Sequence, residues 1–123
     1  MSKRRVERHL AEAALLFGAL ADQTRLSLVQ RLSERGPASI SELSANFQIS
    51  RQAITKHLRS LAAAGIIEGT REGREHVWAL NPERLADAQR CLDVITRGWD
   101  HALNRLKEHL EDRESHLLTR AAR

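Results

Sequence analysis

Residues 39–65 read SISELSANFQISRQAITKHLRSLAAAG, and residues 66–80 continue IIEGTREGREHVWAL. Ser39 and Glu42 stand at capping-box spacing, so a short helix is expected over about 40–47. Gln48 and Ile49 make a tight turn. Ser50 is the next N-cap, and a second helix runs to about residue 64, where Gly65 stops it. Ile66, Ile67 and Thr70 then favour a strand, with a hairpin tip at Glu72-Gly73. His76, Trp78 and Leu80 alternate with Val77 and Ala79, which reads as the returning strand.

Two helices joined by a turn of about three residues, with a hairpin directly after them, have the order of a winged helix-turn-helix. The second helix has the split of faces that such a fold needs. Ala53, Ile54, Leu58 and Leu61 are apolar and pack on the first helix through Leu43 and Phe47. Arg51, Gln52, Thr55, Lys56 and Arg59 face outward and cluster toward the helix N-terminus, where base contacts usually occur. Gln52 suits adenine and Arg51 suits guanine, each through two hydrogen bonds. Thr55 fits a thymine methyl or a phosphate, and Lys56 and Arg59 fit phosphates. Ser50, with the free N–H groups of the helix start behind it, also suits a phosphate oxygen. Arg71 and Arg74 flank Gly73 and put guanidinium groups at the wing tip. Glu72 and Glu75 sit beside them in sequence and dilute that charge.

On the N-terminal side, residues 1–8 are charged and expected to fray at their start. From Val6 onward, Val6, Leu10, Ala13, Phe17 and Leu20 recur at helical spacing, and Leu15, Leu16 and Ala19 form a second apolar surface. Asp22 caps a second helix with Leu26, Val29 and Leu32 on its inner face, ended by Gly36-Pro37. On the C-terminal side, Asn81-Pro82 opens a long helix expected over about 82–114. Leu85, Leu92, Trp99 and Leu106 repeat every seven residues, and Ala88, Ile95 and Ala102 fall between them. At about 1.5 Å per residue, that helix is too long for so small a domain to cover, and a second copy of the chain is the economical cover.

The chain has 123 residues, which fits a single domain over 1–123 with the helix-turn-helix at about 39–64 and the wing at 66–80. The expected class is mainly α with a small β-hairpin, in the order ααααββα. Twenty Lys and Arg against 16 Asp and Glu give a formal charge of +4, which suits an anionic partner without identifying one. The one cysteine, Cys91, forms no intramolecular disulfide. No signal peptide or membrane-length apolar stretch is evident, so a cytoplasmic, nucleoid-associated setting is expected.

The run LFGALADQTRL at 16–26 resembles the opening signature of the ArsR/SmtB family of repressors, with Gln23 where that family usually has proline. Residues 49–61, then Ala64-Gly65-Ile66-Ile67, resemble its recognition helix, and residues 73–80 resemble its wing. The resemblance covers roughly residues 10–112. It implies autonomous binding of double-stranded DNA, repression relieved by an effector, and a homodimer built from the first and last helices. The interface expected on these grounds contains Leu10, Phe17, Leu92, Ile95, Trp99, Leu103 and Leu106.

Many members of that family sense metals, and this chain departs from both ligand patterns. Residues 41–47 contain no cysteine for a thiolate site. The other pattern needs Asp-x-His and a His pair ten residues on. Here Asp100 directly precedes His101, and His109, Asp112 and His116 follow. The last three share a helix face and are read as a charged outer surface, so neither a metal nor a cofactor is expected. His57 is read as a packing or phosphate-facing residue and Cys91 as buried at or near the interface. An enzyme would need a nucleophile or acid–base pair in a pocket, and Ser41, Ser50, His57 and Asp22 are better explained as caps and surface groups. A helical interaction module that has lost DNA binding is the main competing reading, and the outward cations of the second helix argue against it.

Overall fold

The computed structural model describes residues 2–121. The chain divides into two units, one running up to Ala88 and one from Gln89 onward. In the first unit the order is α1 (Lys3–Leu20), α2 (Gln23–Arg35), β1 (Ala38–Ser39), α3 (Ile40–Asn46), α4 (Arg51–Ala63), β2 (Ile67–Glu72) and β3 (Glu75–Leu80). The last helix, α5 (Pro82–Ala121), begins in this unit and makes up the described part of the second.

Local chemistry sets most boundaries. Asp22 caps α2 by accepting the Arg25 N–H at 3.0 Å, and Gly36 ends that helix with φ 82°. Ser39 and Glu42 form a capping box at the start of α3. Ser50 Oγ accepts the Ala53 N–H at 3.1 Å to start α4. Gly65, at φ 77°, turns the chain out of α4. The Asn81 side chain accepts the Glu83 N–H at 3.2 Å at the start of α5.

Three antiparallel strands lie in the order β1-β3-β2. Ile67 stands opposite Leu80, Gly69 opposite Trp78, Arg71 opposite His76, and Glu72 opposite Glu75. Helices and sheet share one core. Leu16, Leu28, Leu32, Leu43, Ile54, Leu58, Leu61, Ile66, Ile67 and Trp78 are all buried in it. Each large apolar side chain so buried contributes about 1.5–3 kcal/mol relative to exposure.

Several expectations are adjusted. Helix α1 begins at Lys3, where Ser2 accepts the Arg5 N–H, and the charged residues from there on are helical, while Met1 lies outside the described residues. The inner face of α2 is Leu28 and Leu32 with Val29 packed beside them, while Leu26 is exposed. Alternative apolar stripes pass through this helix, and the packing partner selects one of them. The hairpin turn is Gly73-Arg74, one residue later than expected, with Gly73 at φ 63°. A two-residue strand, β1, adds itself to the wing through Ala38 opposite Trp78 and Ser39 opposite Val77. Helix α5 continues to Ala121 rather than ending near 114.

In the second unit, α5 is a single helix with apolar side chains uncovered along it. Leu92, Val94, Ile95, Trp99, Leu103, Leu106, Leu110, Leu117 and Leu118 are exposed, and Cys91 is half-buried.

Candidate nucleic-acid interface

Helix α4 is held by one face. Ile54, Leu58 and Leu61 are fully buried in the core that also contains Leu43 of α3. With a period of 3.6 residues, fixing that face fixes where the rest of the helix points. Arg51, Gln52, Lys56 and Arg59 are exposed and Thr55 is half-buried, and the five line one shallow surface depression. No acidic residue occurs on α4. Among the described residues, nothing hydrogen-bonds or ion-pairs with the side chains of Arg51, Gln52, Lys56 or Arg59. Uncompensated cations beside an amide that can pair with a base edge make a surface suited to nucleic acid.

Two members of the set are already partly used. Thr55 Oγ1 donates to the Arg51 carbonyl at 2.9 Å, which turns its hydroxyl back onto the helix. Ser50 Oγ accepts its capping bond, and its O–H stays available to donate to a phosphate. On the wing, Arg71 lies on β2, Arg74 lies in the turn, and both are exposed.

A side contact that sequence reading did not assign ties α4 to the corner between α1 and α2. Arg25 donates through Nε to the Ala19 carbonyl and through a terminal nitrogen to the Gly18 carbonyl at 3.5 Å, satisfying the open end of α1. Its other terminal nitrogen is 3.5 Å from His57 Nδ1 on α4. The same imidazole nitrogen is 4.0 Å from the Asp22 carboxylate. The Arg25 backbone N–H holds the Asp22 carboxyl below its ordinary value of 3.8. Partial burial opposes this, and the Arg25 and His57 charges add to it. His57 therefore packs at the corner rather than facing outward with Arg51 and Gln52. Only the cap at Asp22 was visible in sequence, because a side chain reaching a carbonyl six residues back leaves no spacing signal.

Of the expected interface residues, Leu10, Leu92, Ile95, Trp99, Leu103 and Leu106 are exposed; Leu10 is 61% and Trp99 64% exposed. Phe17 differs, being partly buried against the chain's own core. Leu15, at 67%, is more exposed than any of them. Among the described residues, no group of three or more His, Cys, Asp or Glu side chains is placed to hold a metal ion. No helix there is long and apolar enough to cross a membrane.

Known proteins of related sequence and fold are transcriptional regulators. A helix-turn-helix domain family matches residues 20–70. The HTH-type transcriptional regulator Rv2034 of Mycobacterium tuberculosis is 38% identical over 85 residues, covering 69% of this chain and 76% of that protein. The HTH-type transcriptional repressor SmtB of the same organism is 31% identical over 94 residues, covering 76% of this chain and 67% of that protein. An ArsR-like transcriptional regulator from Rhodococcus sp. RHA1 superposes with a TM-score of 0.72 at 37% identity, covering 80% of this chain and 92% of that one. On these identities and coverages, the chain belongs to the ArsR/SmtB family of winged helix-turn-helix transcriptional regulators.

Proposed function

We propose that the chain is a single winged helix-turn-helix domain that acts as a homodimeric repressor at an inverted-repeat operator. The observation that carries this reading is the face of α4, where Arg51, Gln52, Thr55, Lys56 and Arg59 share one depression with no internal acid to neutralise it. Two such helices enter successive major grooves, about 34–36 Å apart. Arg51 and Gln52 read base edges, and the Thr55 methyl meets a thymine methyl. Ser50, Lys56 and Arg59 hold phosphates, and Arg71 and Arg74 place the wing against the backbone or the minor groove. The second copy covers the exposed apolar side chains of α1 and those of α5. Bound protein excludes polymerase from an overlapping promoter in the cytoplasm, and no catalytic step belongs to this activity.

Selection of bound DNA from a random duplex library, with the number of chains counted on the winning sequence, tests the reading. A short inverted repeat carrying two chains is the expected result. Binding indifferent to sequence, or none, would contradict it and favour an interaction module.

A further inference from the structure

The strand register separates the charges of the wing onto two faces. Ile67, Gly69 and Arg71 of β2 share one face with Leu80, Trp78 and His76 of β3. Glu68, Thr70 and Glu72 share the other face with Ala79, Val77 and Glu75. The first is the core-side face, because Ile67 and Trp78 are buried with Ile54, Leu58 and Leu61 of α4. Beyond Trp78 that face continues toward the turn as His76 and Arg71, both exposed. All three wing glutamates lie on the other side. Adjacency in sequence suggested that the glutamates dilute the wing's charge; the pleat removes them from the face on which α4 lies.

His76 is also held in place. Its ring stacks on Trp78, with centroids 4.7 Å apart and planes 23° from parallel. Trp78 is buried, and its indole Nε1 has no hydrogen-bond partner, so packing fixes it. Across the ladder, Gly69 leaves the space that the imidazole occupies. A Cβ at Gly69 would sit 2.5 Å from His76 Nε2, 3.1 Å from its Cδ2 and 3.0 Å from the Trp78 ring. The Nε2–Cδ2 edge thus rests over Gly69, and Nδ1 is the ring atom opposite that edge.

We infer that His76 is a further DNA-contacting residue, an imidazole fixed on the Trp78 ring and the Gly69 seat so that it donates a hydrogen bond to a backbone phosphate beside Arg71. Gly69 is its positioning residue. This inference rests on the DNA-binding reading above. It extends the wing contact from two flexible arginines to a side chain whose ordering cost is met before binding. A hydrogen bond to a charged group is strong enough for its loss to be read as about a tenfold change in affinity.

The competing role for His76 is a lid over Trp78, and His76→Phe separates the two because phenylalanine keeps the stack and removes the N–H. Affinity is measured on the duplex selected by the unmodified chain, alongside thermal unfolding of each variant. The expected result is His76→Phe with an unfolding midpoint near that of the unmodified chain and about tenfold weaker binding. Gly69→Ala is expected to weaken binding similarly, and to add no further loss when combined with His76→Ala. His76→Phe binding as tightly as the unmodified chain would overturn the inference. Failure of the DNA-binding reading itself would be distinguishable, because the unmodified chain would then show no preferred duplex.

Discussion

Helix α4 and the distal part of α5 are both amphipathic, and the chain leaves them in opposite conditions. Helix α4 has its apolar face fully buried in its own core and its cations bare. The distal part of α5 has Leu92, Ile95, Trp99, Leu103 and Leu106 in solvent. One helix is complete as a folded element and lacks only an anionic partner. The other carries an apolar stripe that is exposed among the described residues. Stability and partner choice are thereby assigned to different segments, so mutations in each should be read in different experiments.

The largest expected effect tests the completeness of α4. Leu58→Ala should cost about 2–5 kcal/mol of folding stability, because its fully buried side chain leaves a cavity. Denaturant unfolding should show this loss at every protein concentration. Trp99→Ala should behave in the opposite manner, raising the concentration for dimer assembly about 30-fold or more while the monomer stays folded. Sedimentation at low concentration checks it; an unchanged profile would place Trp99 outside the interface and erase the contrast.

Within the bare face of α4, the contrast continues between base and phosphate contacts. Gln52→Ala should remove about 1–3 kcal/mol of preference for the correct base pair while leaving binding to unrelated DNA nearly unchanged. Lys56→Ala should weaken all sequences alike and reduce the salt slope of affinity by about one unit. Identical behaviour of the two variants on every duplex would dissolve the assigned division.

The smallest effect concerns the corner that steadies α4. The Asp22 carboxyl is held below 3.8, so it stabilises the fold while ionised. That contribution is complete above the unfolded-state value and is lost as pH falls through the lower, folded-state value. Asp22→Asn should therefore flatten this acid limb in a plot of unfolding midpoint against pH.

What the sequence disclosed follows the range of each interaction. Caps at Asp22, Ser39, Ser50 and Asn81 act over two or three residues, so their spacing survives in the chain and every one was legible. The outward face of α4 was legible for the same reason, since 3.6-residue periodicity fixes it once Ile54 and Leu58 point inward. Strand β1 was not, because a two-residue strand has no period and exists only through its pairing with Val77 and Trp78. Leu28 could not be chosen over Leu26 until the rest of the core was in place. The Arg25–His57 contact joins residues 32 apart, and the Gly69 seat depends on register across the hairpin. These long-range terms also separate the wing's glutamates from Arg71 and His76, which sequence adjacency obscured.

The most direct test of the central claim, that the bare face of α4 reads sequence, compares two duplexes at one salt concentration. Affinities of the unmodified chain and of Gln52→Ala are measured on the selected inverted repeat and on a scrambled duplex of equal length. The unmodified chain should prefer the repeat by about a thousandfold or more, and Gln52→Ala should lose part of that ratio by binding the repeat less tightly. Equal ratios for the two proteins, or no preference in the unmodified chain, would contradict it.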